Sequence, residues 1–352
     1  MTIEEAVTER YAEAAQTTEP GLCCPVEYDA RFLDVIPADV LERDYGCGDP
    51  VRHVRPGETV VDLGCGVGKV CFIAAQVVGA SGRVIGVDSN PAMLQVARAN
   101  APTVAGRIGY DVTEFVRGRI EDLALDLDAA DALVAQHSLT GADDFRVLAG
   151  ELDELRRRRP LVDDDVADIV VSNCVLNLVE PLMKPAMFAD IHRVLKPGGR
   201  AVISDIVASS TVPQHLRDDP DLWSGCYSGA LCEAEFLDSF RAAGFEGTTI
   251  LDRKAQWTEI EEIGFRSVTV EAWKPHVPST LTSVLYGGPF ASVEDDSGVV
   301  LHRGATTTIP TGVATRLVGA GCGVQPSSDA PPSAALDAAP TPTARSAASS
   351  CC

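Results

Sequence analysis

Short apolar runs rich in β-branched residues alternate with helical patterns along most of the chain. TVVDL (59–63), RVIGVD (83–88), VTEFVRG (112–118), DIVVSNC (168–174) and RAVISDI (200–206) read as five strands, and TTILD (248–252) and RSVTVEAWK (266–274) as two more. Between them lie a helix from Lys69 to Val78 and another opening at Pro91, a residue pre-shaped for a first helical turn. A third covers 185–195 and stops at Lys196-Pro-Gly-Gly199, and a fourth covers 233–245, closed by Gly244. Strands alternating with helices across short connections predict an α/β architecture built on a parallel, doubly wound sheet.

Three stretches break this rhythm. Residues 1–58 form a helical lead-in, with a helix over 1–16, a turn-rich EPGLCCP segment and a short helix near 37–44. Residues 122–167 carry two helical patterns, 124–135 and 145–158, and read as an inserted helical hairpin. The run Arg156–Arg159 is a solvated end of the second helix, where cations suit the helix dipole. After Lys274 the pattern turns to β in SVLYGGPF, SVEDDSGVVLHRG, ATTTI and GVATRLVG, which predicts a small β extension over 276–323. Residues 324–352, rich in Pro, Ala, Ser and Thr, read as a disordered tail ending in Cys351-Cys352. The central domain is therefore expected over 59–275.

Composition narrows the function classes. A net charge of −22 over 352 residues is the wrong sign for wrapping nucleic acid. No apolar run approaches a membrane span, and MTIEEAVTERY has no apolar signal core, so a cytoplasmic protein is expected. The chain holds 11 cysteines, an odd number in a long chain without a secretory signal. They are expected to be reduced thiols that pack, bind soft elements or do redox work.

The glycine turn has a defined place: strand, then DLGCGVG, then helix, then a second strand ending in Asp88. Glycines there let backbone approach a ligand closely, and the acid accepts hydrogen bonds from ribose hydroxyls. A nicotinamide site shows G-x-G-x-x-G, whereas this turn is G-x-G-x-G (Gly64, Gly66, Gly68) with Asp62 before it. That combination resembles the first motif of class I methyltransferases, which use S-adenosylmethionine. GRIEDL (118–123) and LKPGGR (195–200) resemble later motifs of the same superfamily over about 58–275. The resemblance implies a Rossmann-like sheet with a cofactor site lined by Asp62, Gly64, Gly66, Asp88, Ile120, Glu121 and Asn173.

Cys174 falls at the carboxyl end of the fourth strand, where open α/β sheets bind ligands, and Cys226 in the long connection after the fifth. Cys47 lies in the segment leading into the first strand. No C-x-x-C pair and no histidine spacing suggests a zinc site. Sulfur ligands select soft ions and metalloids, and three suit trivalent arsenic, whose free lone pair can attack a sulfonium methyl without a general base. YGCG, SNCVLNL and W-x-G-C-x-x-G-A-L together resemble the arsenite methyltransferase family, closest to its bacterial arsenosugar-associated branch. The resemblance implies arsenic held by Cys47, Cys174 and Cys226 in detoxification or arsenosugar synthesis. It also implies a relay thiol at Cys24 or its neighbour Cys23, a reductant such as thioredoxin or glutathione, and a monomer. Cys65 and Cys71 read as packing, and Cys232 as incidental. Two other readings remain: a methyltransferase for another small molecule, and a non-catalytic soft-metal-binding protein.

Overall fold

The computed structural model describes residues 3–19, 26, 28–43, 45–256, 258–276, 281–295 and 299–327. Cys23, Cys24, Cys351 and Cys352 lie outside them. The chain forms two compact units: residues 1–277 with 294–299, and 278–293 with 300–352.

In the first unit the strands are β1 (Thr59–Leu63), β2 (Arg83–Asp88), β3 (Thr113–Arg117), β4 (Ala167–Asn173), β5 (Leu195–Ala208), β6 (Glu246–Arg253), β7 (Thr258–Ile260) and β8 (Ile263–Trp273). Their order is β3-β2-β1-β4-β5-β8-β6, with β7 paired to β8. The first five are parallel, and β8 runs antiparallel to β5, β6 and β7. The expected parallel, doubly wound sheet is formed by β1 to β5, and β8 departs from it because the tight β7–β8 connection allows only an antiparallel return. Strand order reverses between β1 and β4, which opens a crevice at their carboxyl ends.

The helices are α1 (Ile3–Ala14), α2 (Ala38–Leu41), α3 (Lys69–Val78), α4 (Pro91–Ile108), α5 (Leu127–Val134), α6 (Ala142–Arg158), α7 (Lys184–Val194), α8 (Gln214–Arg217), α9 (Pro220–Ser224) and α10 (Glu233–Ala242). The α3 and α4 side of the sheet buries Phe72, Ile73, Leu94 and Val104; the α7 and α10 side buries Met187, Phe188, Ile191 and Phe240. Central strands buried on both faces explain their unbroken apolar runs. Helices α5 and α6 form the inserted hairpin. Arg156 pairs with Asp122 and Asp153, and Arg157 with Glu154, at its solvated end. Among the described residues no helix is long and apolar enough to cross a membrane.

The second unit holds the three-stranded sheet β12-β9-β13 and, but for Glu294, the pair β10-β11, from β9 (Leu281–Tyr286), β10 (Ser292–Glu294), β11 (Val300–His302), β12 (Thr306–Pro310) and β13 (Val324–Pro326). GVATRLVG is not a strand: Thr311–Gly319 is helix α11. Val313, Ala314, Leu317 and Val318 recur at helical spacing, and Val313 and Ala314 are buried.

Candidate active site

A cavity of about 420 Å³ opens at the crevice. Its floor is the turn after β1. Gly64, Gly66 and Gly68 have φ of 68°, 52° and 90°, left-handed values that favour glycine. A Cβ at Gly64 would lie 2.5 Å from the Val175 side chain, so the turn can pass there only without one. The Gly64 and Cys65 amides donate to Val87 O, and the Gly66 amide to Asp88 Oδ2 at 2.8 Å. Asp88 Oδ1 accepts from the Asn90 amide at 2.8 Å. Burial pushes the Asp88 carboxyl up, while these amides oppose the shift. Each carboxylate oxygen keeps a further lone pair for a hydroxyl.

Asp62, Gly64, Gly66, Asp88, Ile120, Glu121 and Asn173 all border this cavity. Three of them have other work as well. Asp62 is buried and accepts the Cys71 thiol at 3.1 Å. Glu121 takes a hydrogen bond from Arg119, which also pairs with Glu4 of α1. Asn173 holds the 46–48 loop: its Oδ1 accepts from the Cys47 and Gly48 amides at 2.8 and 3.0 Å, and its Nδ2 donates to Gly48 O and Tyr28 Oη. The glycines of YGCG follow from this clamp. A Cβ at Gly46 would overlap the Asn173 amide, and one at Gly48 would lie 2.5 Å from Ser204 Oγ.

Cys47, Cys174 and Cys226, which are 127 and 52 residues apart in turn, meet in one buried cluster with Ile206, Leu216 and Phe265. Cys174 borders the cavity, whereas Cys47 and Cys226 are not among its lining residues. The Cys174 side chain interacts with those of both Cys47 and Cys226, and the Cys226 thiol donates to Cys174 O at 3.1 Å. The three are thus linked in series through Cys174. Among the described residues, no group of three or more His, Cys, Asp or Glu side chains has the arrangement of a metal-ion site. Burial, with Asp205 and Cys226, pushes the Cys47 thiol up, and the neighbouring Cys226 and Cys47 side chains, with burial, push the Cys174 thiol up, so both are protonated at neutral pH. At these two positions the site presents thiols rather than ready thiolates.

Both Cys174 (φ 64°) and Cys226 (φ 66°) adopt left-handed backbone, a region L side chains rarely enter. Asn177 fastens the two turns together: its Nδ2 donates to Ile206 O at 2.8 Å and Cys226 O at 3.1 Å. A Cβ at Gly229 would overlap Asn177 O, which accounts for the second glycine of the W-x-G-C-x-x-G motif. The Leu176 amide donates to Asp205, and Lys184 donates to Leu176 O at 2.6 Å. Burial raises Asp205 to about 6 and lowers Lys184 to about 8. Tyr11 on α1 also borders the cavity, with its hydroxyl 3.9 Å from Cys226 Sγ.

Sequence reasoning missed Tyr11, Asn177, Lys184 and Asp205. An acid inside the apolar run RAVISDI was the one available signal, since a charge there must be buried. A helical tyrosine and a first-turn lysine carry no such mark.

A sheet ordered 3-2-1-4-5-8-6, a glycine turn after β1 and an acid ending β2 define the class I, S-adenosylmethionine-dependent methyltransferase fold. A family model described as a methyltransferase domain matches residues 55–157 and 138–264, and the chain belongs to that family. It is similar to the arsenite methyltransferase of Halobacterium salinarum, 33% identical over 303 residues, covering 77% of this chain and 66% of that one. It is similar also to the human arsenite methyltransferase, at 29% identity with 60% and 48% covered. Its matches span about half to two thirds of the length of these curated relatives. Among solved structures it is similar to an arsenic(III) S-adenosylmethionine methyltransferase from Chlamydomonas reinhardtii, with TM-score 0.59, 25% identity, and 89% and 97% of the two chains covered.

Proposed function

We propose that this protein methylates trivalent arsenic, using S-adenosylmethionine as methyl donor. The observation that carries this reading is the position of Cys174, which lines the cavity and shares one buried cluster with Cys47 and Cys226. The names of the curated relatives and of the algal structure support the choice of arsenic over another small acceptor.

The residues fit the cofactor. Gly64 and Gly66 offer backbone without side chains, Asp88 faces the cavity for ribose hydroxyls, and Lys69 and Arg43 border it as cations for a carboxylate. Bound there, S-adenosylmethionine supplies an electrophilic methyl on a sulfonium. The thiols of Cys47, Cys174 and Cys226 condense with arsenous acid: three As–O bonds break, three As–S bonds form and three waters leave. No charge is buried, which suits a site that disfavours thiolates. The thiol side chains must turn from their present hydrogen bonds to converge on arsenic. Arsenic keeps its lone pair, which attacks the methyl carbon as the carbon–sulfur bond breaks. Holding both reactants across the Cys174 wall supplies proximity worth up to ~7–11 kcal/mol. Methyl transfer raises the arsenic oxidation state by two and leaves it cationic. Two of its sulfur ligands leave together as a disulfide while a water takes the open valence and loses a proton, which returns arsenic to the neutral trivalent state, and an external thiol reductant such as thioredoxin or glutathione reopens the disulfide. A relay through Cys24 or Cys23 belongs to this proposal, as do a monomer and a cytoplasmic setting.

Cys174→Ser and Cys226→Ser are expected to abolish arsenite methylation, since a serine hydroxyl is a hard ligand. Cys322→Ser, in the second unit, is expected to retain it. Methylation surviving loss of all three cluster cysteines would instead identify a methyltransferase for another acceptor. Tight arsenite binding without any methyl transfer would identify a sequestering protein.

A further inference from the structure

Cys65 and Cys71 belong to no part of the arsenic cluster. Cys65 sits in the glycine turn and borders the cofactor cavity; Cys71 stands on the first turns of α3 and is fully buried. Their side chains contact each other, and both sulfurs reach over Gly86 of β2. A Cβ at Gly86 would lie 2.8 Å from Cys71 Sγ and 2.9 Å from Cys65 Sγ, so glycine in this otherwise apolar strand makes room for the pair. Cys71 also donates to Asp62, another cavity residue, at 3.1 Å. A dithiol is therefore built into the wall that receives the methyl donor.

The surroundings select the ligand. A metal cation needs more ligands than two sulfurs, and among the described residues no group of three or more His, Cys, Asp or Glu side chains has that arrangement. Burial, with Asp88 and Asp62, holds Cys65 up at about 11, and burial, the Cys65 side chain and Asp62 hold Cys71 well above its usual value, so both stand as neutral thiols. A trivalent arsenical with one carbon substituent and two hydroxyls needs no ionisation. Two As–O bonds break, two As–S bonds form, each thiol hydrogen leaves with a hydroxyl as water, and arsenic keeps its oxidation state. The adduct is neutral and uses two valences for two thiols, whereas arsenous acid has three to satisfy.

We propose that Cys65 and Cys71 form a second arsenical site, which takes monomethylated trivalent arsenic and closes the cavity to the methyl donor. The identity of the natural ligand rests on the methylation reading above, because that ligand is its first product. The site then acts as product feedback: accumulated methylated arsenic slows further cofactor binding.

The test uses the full chain carrying Cys47→Ser, Cys174→Ser and Cys226→Ser, with phenylarsine oxide as the probe. S-adenosylmethionine affinity is measured by calorimetry with and without the probe, and the adduct is located by peptide mapping. The expected result is at least a tenfold loss of affinity, with one probe bridging Cys65 and Cys71. Adding Cys71→Ser, which keeps a hydroxyl for Asp62, is expected to remove the effect; Cys71→Ala serves if the serine variant does not fold. Unchanged affinity at saturating probe, or equal loss with Cys71 replaced, overturns the proposal. The assay involves no methyl transfer, so its failure is separate from failure of arsenite methylation.

Discussion

Two of the three clustered cysteines hold left-handed backbone, at φ 64° and 66°. Such strain costs about 1–3 kcal/mol per residue and persists only where the surroundings over-determine it. Here they do: the Cys174 amide donates to Ser204 O, and Asn177 fixes the carbonyl of Cys226. A residue kept for its thiol and not for stability gives a simple signature. Cys174→Gly is expected to melt above Cys174→Ala, because glycine relieves the left-handed strain and alanine does not; the reverse order in calorimetric melts would remove the strain argument. Asn177→Ala leaves two buried carbonyls without this donor, at about 1–3 kcal/mol each before relaxation. It is expected to weaken binding of arsenite more than binding of a monomethyl arsenical, in direct titrations of both. Equal weakening would make Asn177 a general packing residue. The cysteines themselves were legible from their local motifs. Asn177 was not, because its function lies in joining two turns 49 residues apart.

Helix α1 was foreseen as a helix, yet nothing in its pattern says what it covers. Its residues Glu4, Val7, Thr8 and Tyr11 border the cavity. It is tied down by Asn90 Nδ2 donating to Thr8 O at 3.1 Å and by Arg10 donating to Ser224 Oγ at 2.7 Å. These are contacts across 82 and 214 residues, invisible to local periodicity. Removing residues 1–14 is expected to leave the far-ultraviolet circular dichroism of the sheet domain in place while weakening S-adenosylmethionine binding at least tenfold by calorimetry. Unaltered affinity would mean that α1 covers the cavity without contributing to it. The central parallel strands β1, β2, β4 and β5 were readable because burial writes them as apolar runs. The 311–319 segment was misread because a short apolar run between turns does not distinguish strand from helix until its spacing is counted.

Charge acts on the whole molecule through the buried pair near the thiols. Lys184 is lowered to about 8 by burial, so its charged form is penalised in the folded state. Below that pH both folded and unfolded chains carry the proton. Between about 8 and the lysine's ordinary 10.5 the unfolded chain binds more protons, so stability rises with pH. Asp205, raised to about 6, has the opposite slope: its contribution falls as pH climbs from the usual carboxylate range through about 6. Relative to Lys184→Met, the wild type is expected to gain about 3 kcal/mol of unfolding free energy from pH 8 to 10.5. Parallel denaturation curves for the two proteins would show that the lysine is not held in its buried site.

The central claim is that one cavity wall, with Cys174 at its centre, joins a methyl donor to thiol-held arsenic. The most direct measurement is arsenic speciation after incubating the protein with arsenite, S-adenosylmethionine and a thiol reductant. The account predicts methylated arsenic with an equal amount of S-adenosylhomocysteine from the wild type, and none from Cys174→Ser. Arsenite recovered unmethylated from wild-type protein that binds S-adenosylmethionine would contradict it.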